Sequence, residues 1–331
     1  MSVKYFFGVD ISKLTVDIAL IEVDGRISTF KIENSQEAIK KFLAERKREH
    51  GFKFREAFFC AENMGIYGDF LTKVLSAKKI AICLESALQI KKSLGIQRGK
   101  NDRLDAVRIA EYAKKNHTSL KIWNQPRECI EQLKKLTTIR KRLIKVRAIL
   151  INEEKVSVYF LNSEVNKSLN SCYANTLDAI NKDIEAIESK IDSVISGDQR
   201  LSNLTSIITS VPCVGKVIAT QILTSTNEFL NISSAKQFAS YCGVAPFEWS
   251  SGSSLNRRRR VSFFANKELK TNLHLAAMIS ISRSNNNSLK DYYQRKQKEG
   301  KNNMSILNAI RNKIIHRIFA CVRDNKHFLR L

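Results

Sequence analysis

The chain has 331 residues, 43% of them hydrophobic and 27% charged, a balance that excludes a mostly disordered polymer and supplies apolar material for two cores. Three prolines and 12 glycines are too few for a linker protein and favour long helices, and no run of about 18 apolar residues offers a membrane span. The net charge of +24 is uneven: residues 91–147 hold 17 basic against 5 acidic side chains and residues 251–331 hold 18 against 4, whereas 148–250 are net acidic.

Alternating apolar runs at 5–10, 16–21 and 27–32, with Asp24-Gly25 between the last two, predict a three-stranded antiparallel meander. A helix is expected from Ser35 to about Arg48, then strands over Glu56–Ala61 and Lys79–Leu84 separated by a helix near Gly68–Ser76, which together read as a mixed α/β sheet. From Asp102 to Lys115 a stripe of Leu104, Val107, Ile109, Ala110 and Ala113 predicts another helix, and Pro126 opens the next. Within that helix Leu136, Ile139, Leu143, Val146 and Leu150 recur at spacings of three and four, as do Tyr173, Leu177, Ile180, Ile184, Ile187, Ile191 and Val194 further on. Sustained spacing of this kind predicts a coiled-coil seam, formed within one chain or between subunits. The first of these segments is basic and the second acidic, which favours their pairing. Beyond Gly197 the chain is predicted to be α-rich, with helices over 217–223, 234–241, 266–280 and 303–323 and a Ser- and Arg-rich loop at 250–260. The division expected is 1–122, a connector at 123–198, and 199–331.

Basic blocks of this density point to a polyphosphate partner, because each cation that displaces a condensed counterion from nucleic acid gains the entropy of ion release. Arg140, Lys141, Arg142, Lys145 and Arg147 in the first block and Arg257, Arg258, Arg259 and Arg260 in the second are the candidate nucleic-acid contacts; a solvated basic face is the plainer alternative. Seven cysteines with no C-x-x-C pair argue against a disulfide framework or zinc knuckle. With no charged and apolar leader after Met1, a cytoplasmic, nucleoid-associated protein is expected, with no membrane partner.

Asp10 and Glu62 each follow a buried strand, where a carboxylate is costly unless paired, hydrated or bound to a cation. Asp102 and Asp105 share one face of a helix start. Gathered at a sheet edge, four carboxylates would repel without a cation, and hard oxygen ligands suit Mg²⁺ in phosphodiester displacement. Taken singly, Asp102 also suits a helix N-cap and Asp10 a strand-end turn.

Val9-Asp10-Ile11-Ser12-Lys13, Glu62-Asn63, and Lys100-Asn101-Asp102-Arg103-Leu104-Asp105-Ala106 resemble the RuvC-like DEDD domain of the insertion sequence one-ten transposase family, which includes the Piv-type DNA invertases. Ser210-Val211-Pro212-Cys213-Val214-Gly215, Ala239-Ser240-Tyr241-Cys242-Gly243-Val244-Ala245-Pro246, and Ser251-Gly252 ahead of basic residues resemble the same family's C-terminal motifs in the same order. The resemblance implies a RuvC/RNase H-like N-terminal domain, a coiled-coil connector and an α-rich domain bearing a serine nucleophile. It further implies an RNA-guided DNA transposase or recombinase, partnered by a bridge-type noncoding RNA and by donor and target DNA, with Mg²⁺ as cofactor. A homo-oligomer, dimer or tetramer, is expected. Carried over by motif, the tetrad is Asp10, Glu62, Asp102 and Asp105 and the serine is Ser251, with Ser250, Ser253 and Ser254 left as alternatives. Cys213 and Ala265 stand where glycines are usual in the family. The rivals are a RuvC-like Mg²⁺ nuclease with no covalent intermediate and a non-catalytic nucleic-acid-binding coiled-coil protein.

Overall fold

The computed structural model describes residues 3–49, 51–93, 95, 101–160, 163–251, 255–282 and 288–329, and for 152–160, 163–170, Trp249, Ser251 and 255–258 the backbone alone. It divides into two compact units, Met1–Gln125 and Pro126–Leu331.

In the first unit β1 (Tyr5–Ile11), β2 (Thr15–Glu22) and β3 (Ile27–Glu33) form the expected meander, Gly25 taking φ +93° in the second turn. Strand β4 (Ala57–Glu62) pairs parallel to β1 and β5 (Ala81–Glu85) parallel to β4, giving the order β3-β2-β1-β4-β5. Helix α1 (Gln36–Arg48) starts where the Ser35 hydroxyl accepts from the Ala38 amide, and with α2 (Asp69–Ala77) it covers one face of the sheet. Ile39, Phe42, Leu43, Leu71 and Leu75 bury there against Phe7, Val9, Ile18 and Phe59, side chains that each contribute about 1.5–3 kcal/mol by leaving water. The opposite face belongs to α3 (Ala87–Ser93) and α4 (Asp102–Asn116), through Ile90, Ile109, Tyr112 and Ala113 on Phe6, Phe58, Cys60 and Cys83.

Gly8 sets the seat of α4. A Cβ at Gly8 would stand 2.1 Å from the Ala110 amide nitrogen and 2.2 Å from the Ala106 carbonyl oxygen, so helix backbone rests on strand backbone with nothing between them. At the other end Lys114 Nζ donates to the carbonyl of Glu22 at 2.9 Å. Since Glu22 pairs with Tyr5 at the start of β1, α4 runs antiparallel to β1 and opens at the strand's C-terminal end.

The second unit contains α5 (Glu128–Phe160), α6 (Ser163–Ser196), α7 (Gln199–Thr209), α8 (Lys216–Thr226) and α9 (Ala235–Tyr241). There follow a hairpin of β6 (Pro246–Ser251) and β7 (Leu255–Val261), then α10 (Lys267–Ser282), α11 (Ser288–Lys298) and α12 (Asn303–Arg323). Arg140 pairs with Glu188 and Arg147 donates to Asn181, so α5 and α6 lie antiparallel. Ile180, Ile184 and Ile191 of the α6 seam are buried within the single chain. The core gathers Ile191 and Ile195 with Leu201, Ile222, Phe238, Leu273, Ile310 and Ile314. At its edge Arg127 donates from Nη1 and Nη2 to Asp198 (2.6 and 3.0 Å) and from Nε and Nη2 to the buried Glu228 (2.8 and 2.6 Å). Among the described residues no helix is long and apolar enough to cross a membrane, and all seven cysteines are free thiols.

Within the segment expected to be a loop at 250–260, residues 250–251 and 255–260 instead belong to the paired strands β6 and β7, with a register irregularity between Phe247 and Trp249, and 252–254 lie outside the described residues. Four consecutive arginines conceal the two-residue alternation by which a strand is recognised, since both faces carry the same charge. Helices α3, α7 and α11 were not expected; α11 buries one leucine, Leu289, too little for a visible apolar stripe.

Candidate active site

The α4-covered face of the first unit carries one row of charged residues across all five strands. Lys31 on β3 stands opposite Asp17 on β2, Asp17 opposite Asp10 on β1, and Glu62 on β4 opposite Glu85 on β5. Asp10 and Glu62 stand one residue beyond the Val9–Ala61 pair of adjacent parallel strands. The two-residue period puts Phe6, Gly8 and Asp10 on this face and Phe7, Val9 and Ile11 on the other. Asp10 therefore lies within the strand, facing the helix, and not in a strand-end turn.

Asp102 and Asp105 join from above. Asp102 precedes Ala106 and Ala110 by one and two helical turns, and those alanines are the residues seated on Gly8. The seat thus brings the α4 N-terminus to the edge where Asp10 stands one residue before the end of β1 and Glu62 ends β4, and the partial positive charge of a helix start favours carboxylates there. Asn101 is the cap: its side chain accepts from the Leu104 amide at 2.7 Å, so Asp102 has no capping duty. Asp105 accepts from Arg108 at 2.7 Å.

The charges act on one another. Burial, followed by the carboxylates of Glu62, Asp102, Asp105 and Asp17, pushes the Asp10 carboxyl up from the ordinary aspartate value to about 6. Asp17 is buried, and Lys31 Nζ reaches it at 3.5 Å. Glu85 accepts from the Ser86 amide at 2.9 Å and from the Tyr112 hydroxyl at 3.3 Å. Burial, and then Glu85, pushes the Tyr112 phenol up to about 12. The donors at this edge are all oxygen, the set that hard divalent cations take. Among the described residues no three Asp, Glu, His or Cys side chains stand close enough to share one ion.

Asp17 and Glu85 were not singled out in the sequence. Their signals were an acid interrupting the apolar run 16–21 and a second strand ending in glutamate one position after its apolar residues, as β4 does.

The second unit holds the remaining expected residues. Ser250 is exposed on β6 opposite Asn256, and the Ser251 backbone ends β6 opposite Leu255. The Ser251 side chain, Ser253, Ser254, and the side chains of Arg257 and Arg258 lie outside the described residues. Arg259 and Arg260 are exposed; Arg259 reaches Glu248 at 3.2 Å. On α5, Arg140 pairs with Glu188 and Lys141 with Glu268, both beside a cavity of about 440 Å³ between α5, α6, α8 and α10. Arg142 and Lys145 are exposed. Cys213 takes φ +68°, and Gly215 precedes α8 as its N-cap.

Residues 7–193 match a family model described as "Transposase", of the DEDD type of IS110, and residues 205–294 match one described as "Transposase IS116/IS110/IS902 family". The pilin gene-inverting proteins of Moraxella bovis and Moraxella lacunata are each 26% identical over 333 residues, covering 98% of both chains. An insertion element IS110 uncharacterized 43.6 kDa protein of Streptomyces coelicolor is 26% identical over 155 residues, covering 47% of this chain and 36% of its own. With its N-terminal match spanning more than half of the chain and its C-terminal match following in order, the protein belongs to the IS110 family of transposases.

Proposed function

We propose that this transposase cuts and rejoins donor and target DNA under the guidance of a bridge-type noncoding RNA, with Asp10, Glu62, Asp102 and Asp105 as its metal-binding tetrad and Ser251 as its nucleophile. The single observation that carries the reading is the placement of Asp10 and Glu62 on adjacent strands at the edge that the Gly8 seat brings beneath the start of α4, with Asp102 and Asp105; burial and these like charges hold the Asp10 carboxyl above the ordinary aspartate range, which suits a cation site. Bound there, Mg²⁺ would activate the scissile phosphodiester as a Lewis acid. The Ser251 hydroxyl would form an O–P bond as a strand P–O bond breaks, conserving the phosphodiester energy for rejoining. The Moraxella relatives are named for inverting a pilin gene, and an analogous exchange between two DNA sites is the reaction proposed.

The expected division at 1–122, 123–198 and 199–331 is retained, with the α5–α6 pair as a coiled-coil connector. Because the α6 isoleucines are buried against the chain's own residues, a second copy would be met by the exposed Ile139, Val146 and Ile149 of α5. The basic blocks supply phosphate contacts, and a cytoplasmic, nucleoid-associated location follows from that work.

The test is strand cleavage with guide RNA, donor and target DNA and Mg²⁺. Asp10→Asn, Glu62→Gln, Asp102→Asn and Asp105→Asn are each expected to abolish cleavage with nucleic-acid binding retained, and Ser251→Ala to remove both cleavage and the trapped protein–DNA adduct. Full activity in Ser250→Ala, Ser251→Ala, Ser253→Ala and Ser254→Ala alike would overturn the serine mechanism in favour of water directed by the carboxylates. Near-normal activity in Asp102→Asn or Asp105→Asn would overturn the tetrad.

A further inference from the structure

Phe263 and Phe264 follow the arginine strand β7 after Ser262 and stand 80% and 64% exposed, outside every buried cluster of the described residues. Large rings left in water are ordinary when scattered, but these two are adjacent, 5.9 Å between centroids and nearly perpendicular. The turn that bears them is fixed at both ends. The Phe264 amide donates to the Ser262 hydroxyl at 3.1 Å. Beyond the rings, the Asn266 amide donates to the Tyr241 carbonyl at 2.9 Å, and the Asn266 side chain donates to the Tyr241 hydroxyl at 3.1 Å while accepting from the Leu269 amide to open α10. Gly243, at φ +62°, lets this turn close on α9: a Cβ there would fall 2.4 Å from the Ala265 methyl. The rings are thus held outward by a braced backbone.

Their surroundings are cationic. Lys267 Nζ lies 5.3 Å from the Phe263 centroid, Arg260 is exposed opposite Phe247, itself 47% exposed, and residues 251–331 carry 18 basic against 4 acidic side chains. An apolar ring beside an ammonium group, just after a strand of arginines, matches one repeating chemistry, a base plane joined to a phosphate. Base-on-aromatic stacking needs that plane uncovered, as it is in an unpaired strand and is not inside a duplex.

We infer that Phe263, supported by Phe264, is a stacking platform for an unpaired nucleobase, with Lys267 and Arg260 meeting the adjoining phosphates. The inference rests on the reading of this chain as an enzyme acting on nucleic acid and adds to it a site for single-stranded nucleic acid. The strand could be opened DNA or an RNA loop, and the two share the recognised chemistry.

The test is fluorescence anisotropy of the full chain with a labelled single-stranded DNA, the single-stranded RNA of the same sequence, and the DNA duplex. Phe263→Ala is expected to lose about tenfold in affinity for one or both unpaired strands, the strand that loses more identifying the ligand, while duplex affinity stays within about twofold. Phe263→Trp is expected to restore the affinity, and the slope of log affinity against log salt to remain that of the parent, because no charge is removed. Unpaired-strand affinity within twofold of the parent, or an equal loss on the duplex, would overturn the inference and leave the parent reading standing. Failure of the unaltered protein to bind any of the three would overturn both.

Discussion

Asp10 and Asp17 face each other across the β1–β2 ladder, beneath α4, and Asp17 has Lys31 at its side. The pairing puts two acids on one cross-strand rung, an arrangement that costs stability when both are charged. Lys31 offsets the charge of Asp17 from the outer strand, and Asp10 is the acid on which burial, Glu62, Asp102, Asp105 and Asp17 act together.

A pH dependence follows, with its sign. The Asp10 carboxyl titrates at about 6 in the fold against 3.8 for an ordinary aspartate, so the folded state binds this proton more tightly than the unfolded chain. The contribution of Asp10 to stability is full below about pH 4 and is lost as the pH rises through 6. In the absence of divalent metal, Asp10→Asn is therefore expected to raise the thermal midpoint at pH 8 and to leave it nearly unchanged at pH 4. A midpoint that shifts equally at both pH values would count against the crowding of the row.

Gly8→Ala is expected to destabilise the first unit by about 3 kcal/mol or more, since the added carbon would overlap helix backbone, which cannot rotate away as a side chain could. Chemical denaturation gives the size, and a loss below about 1 kcal/mol would mean that α4 lifts off without cost.

Arg127→Ala is expected to cost the second unit about 3–5 kcal/mol, because Glu228 would stay buried with, among the described residues, Arg200 alone, at 3.2 Å, to answer its charge. Arg127→Ala with Glu228→Gln should recover a large part of the loss. A double variant no more stable than Arg127→Ala alone would assign the loss to the partnership of Arg127 with Asp198 instead.

At position 213 a cysteine occupies left-handed backbone, φ +68°, which costs a residue with a Cβ about 1 kcal/mol or more relative to glycine. Cys213→Gly is expected to be more stable than Cys213→Ala by about that amount. Equal midpoints for the two variants would remove the strain.

The meander, the parallel strands and α4 were legible because each is a local apolar period, the meander bounded by a turn signal at Asp24-Gly25; the cap of α4 was not, since Asp102 suited that duty on paper and Asn101 performs it. Asp10, Glu62, Asp102 and Asp105 were singled out by motif, and the fold places the first two on adjacent strands and the last two at the start of α4. The rest of the row was not singled out, since placing Asp17 beside Asp10 and Glu85 beside Glu62 requires the pairing register, and register is a relation between strands that no single segment contains. The exposed pair Phe263 and Phe264 was hidden for a related reason: a phenylalanine on paper suggests burial, and only the braced turn after β7 turns it outward.

The contact at Gly8 also makes α4 a balanced beam. Its fulcrum lies between Ala106 and Ala110, from which Asp102 projects about 9 Å one way and Lys114 about 9 Å the other, at 1.5 Å per residue. Lys114 is tied to the carbonyls of Glu22 and Val23 at the β2–β3 turn, so the helix that carries Asp102 at one end is anchored at the other to the turn between the outer strands.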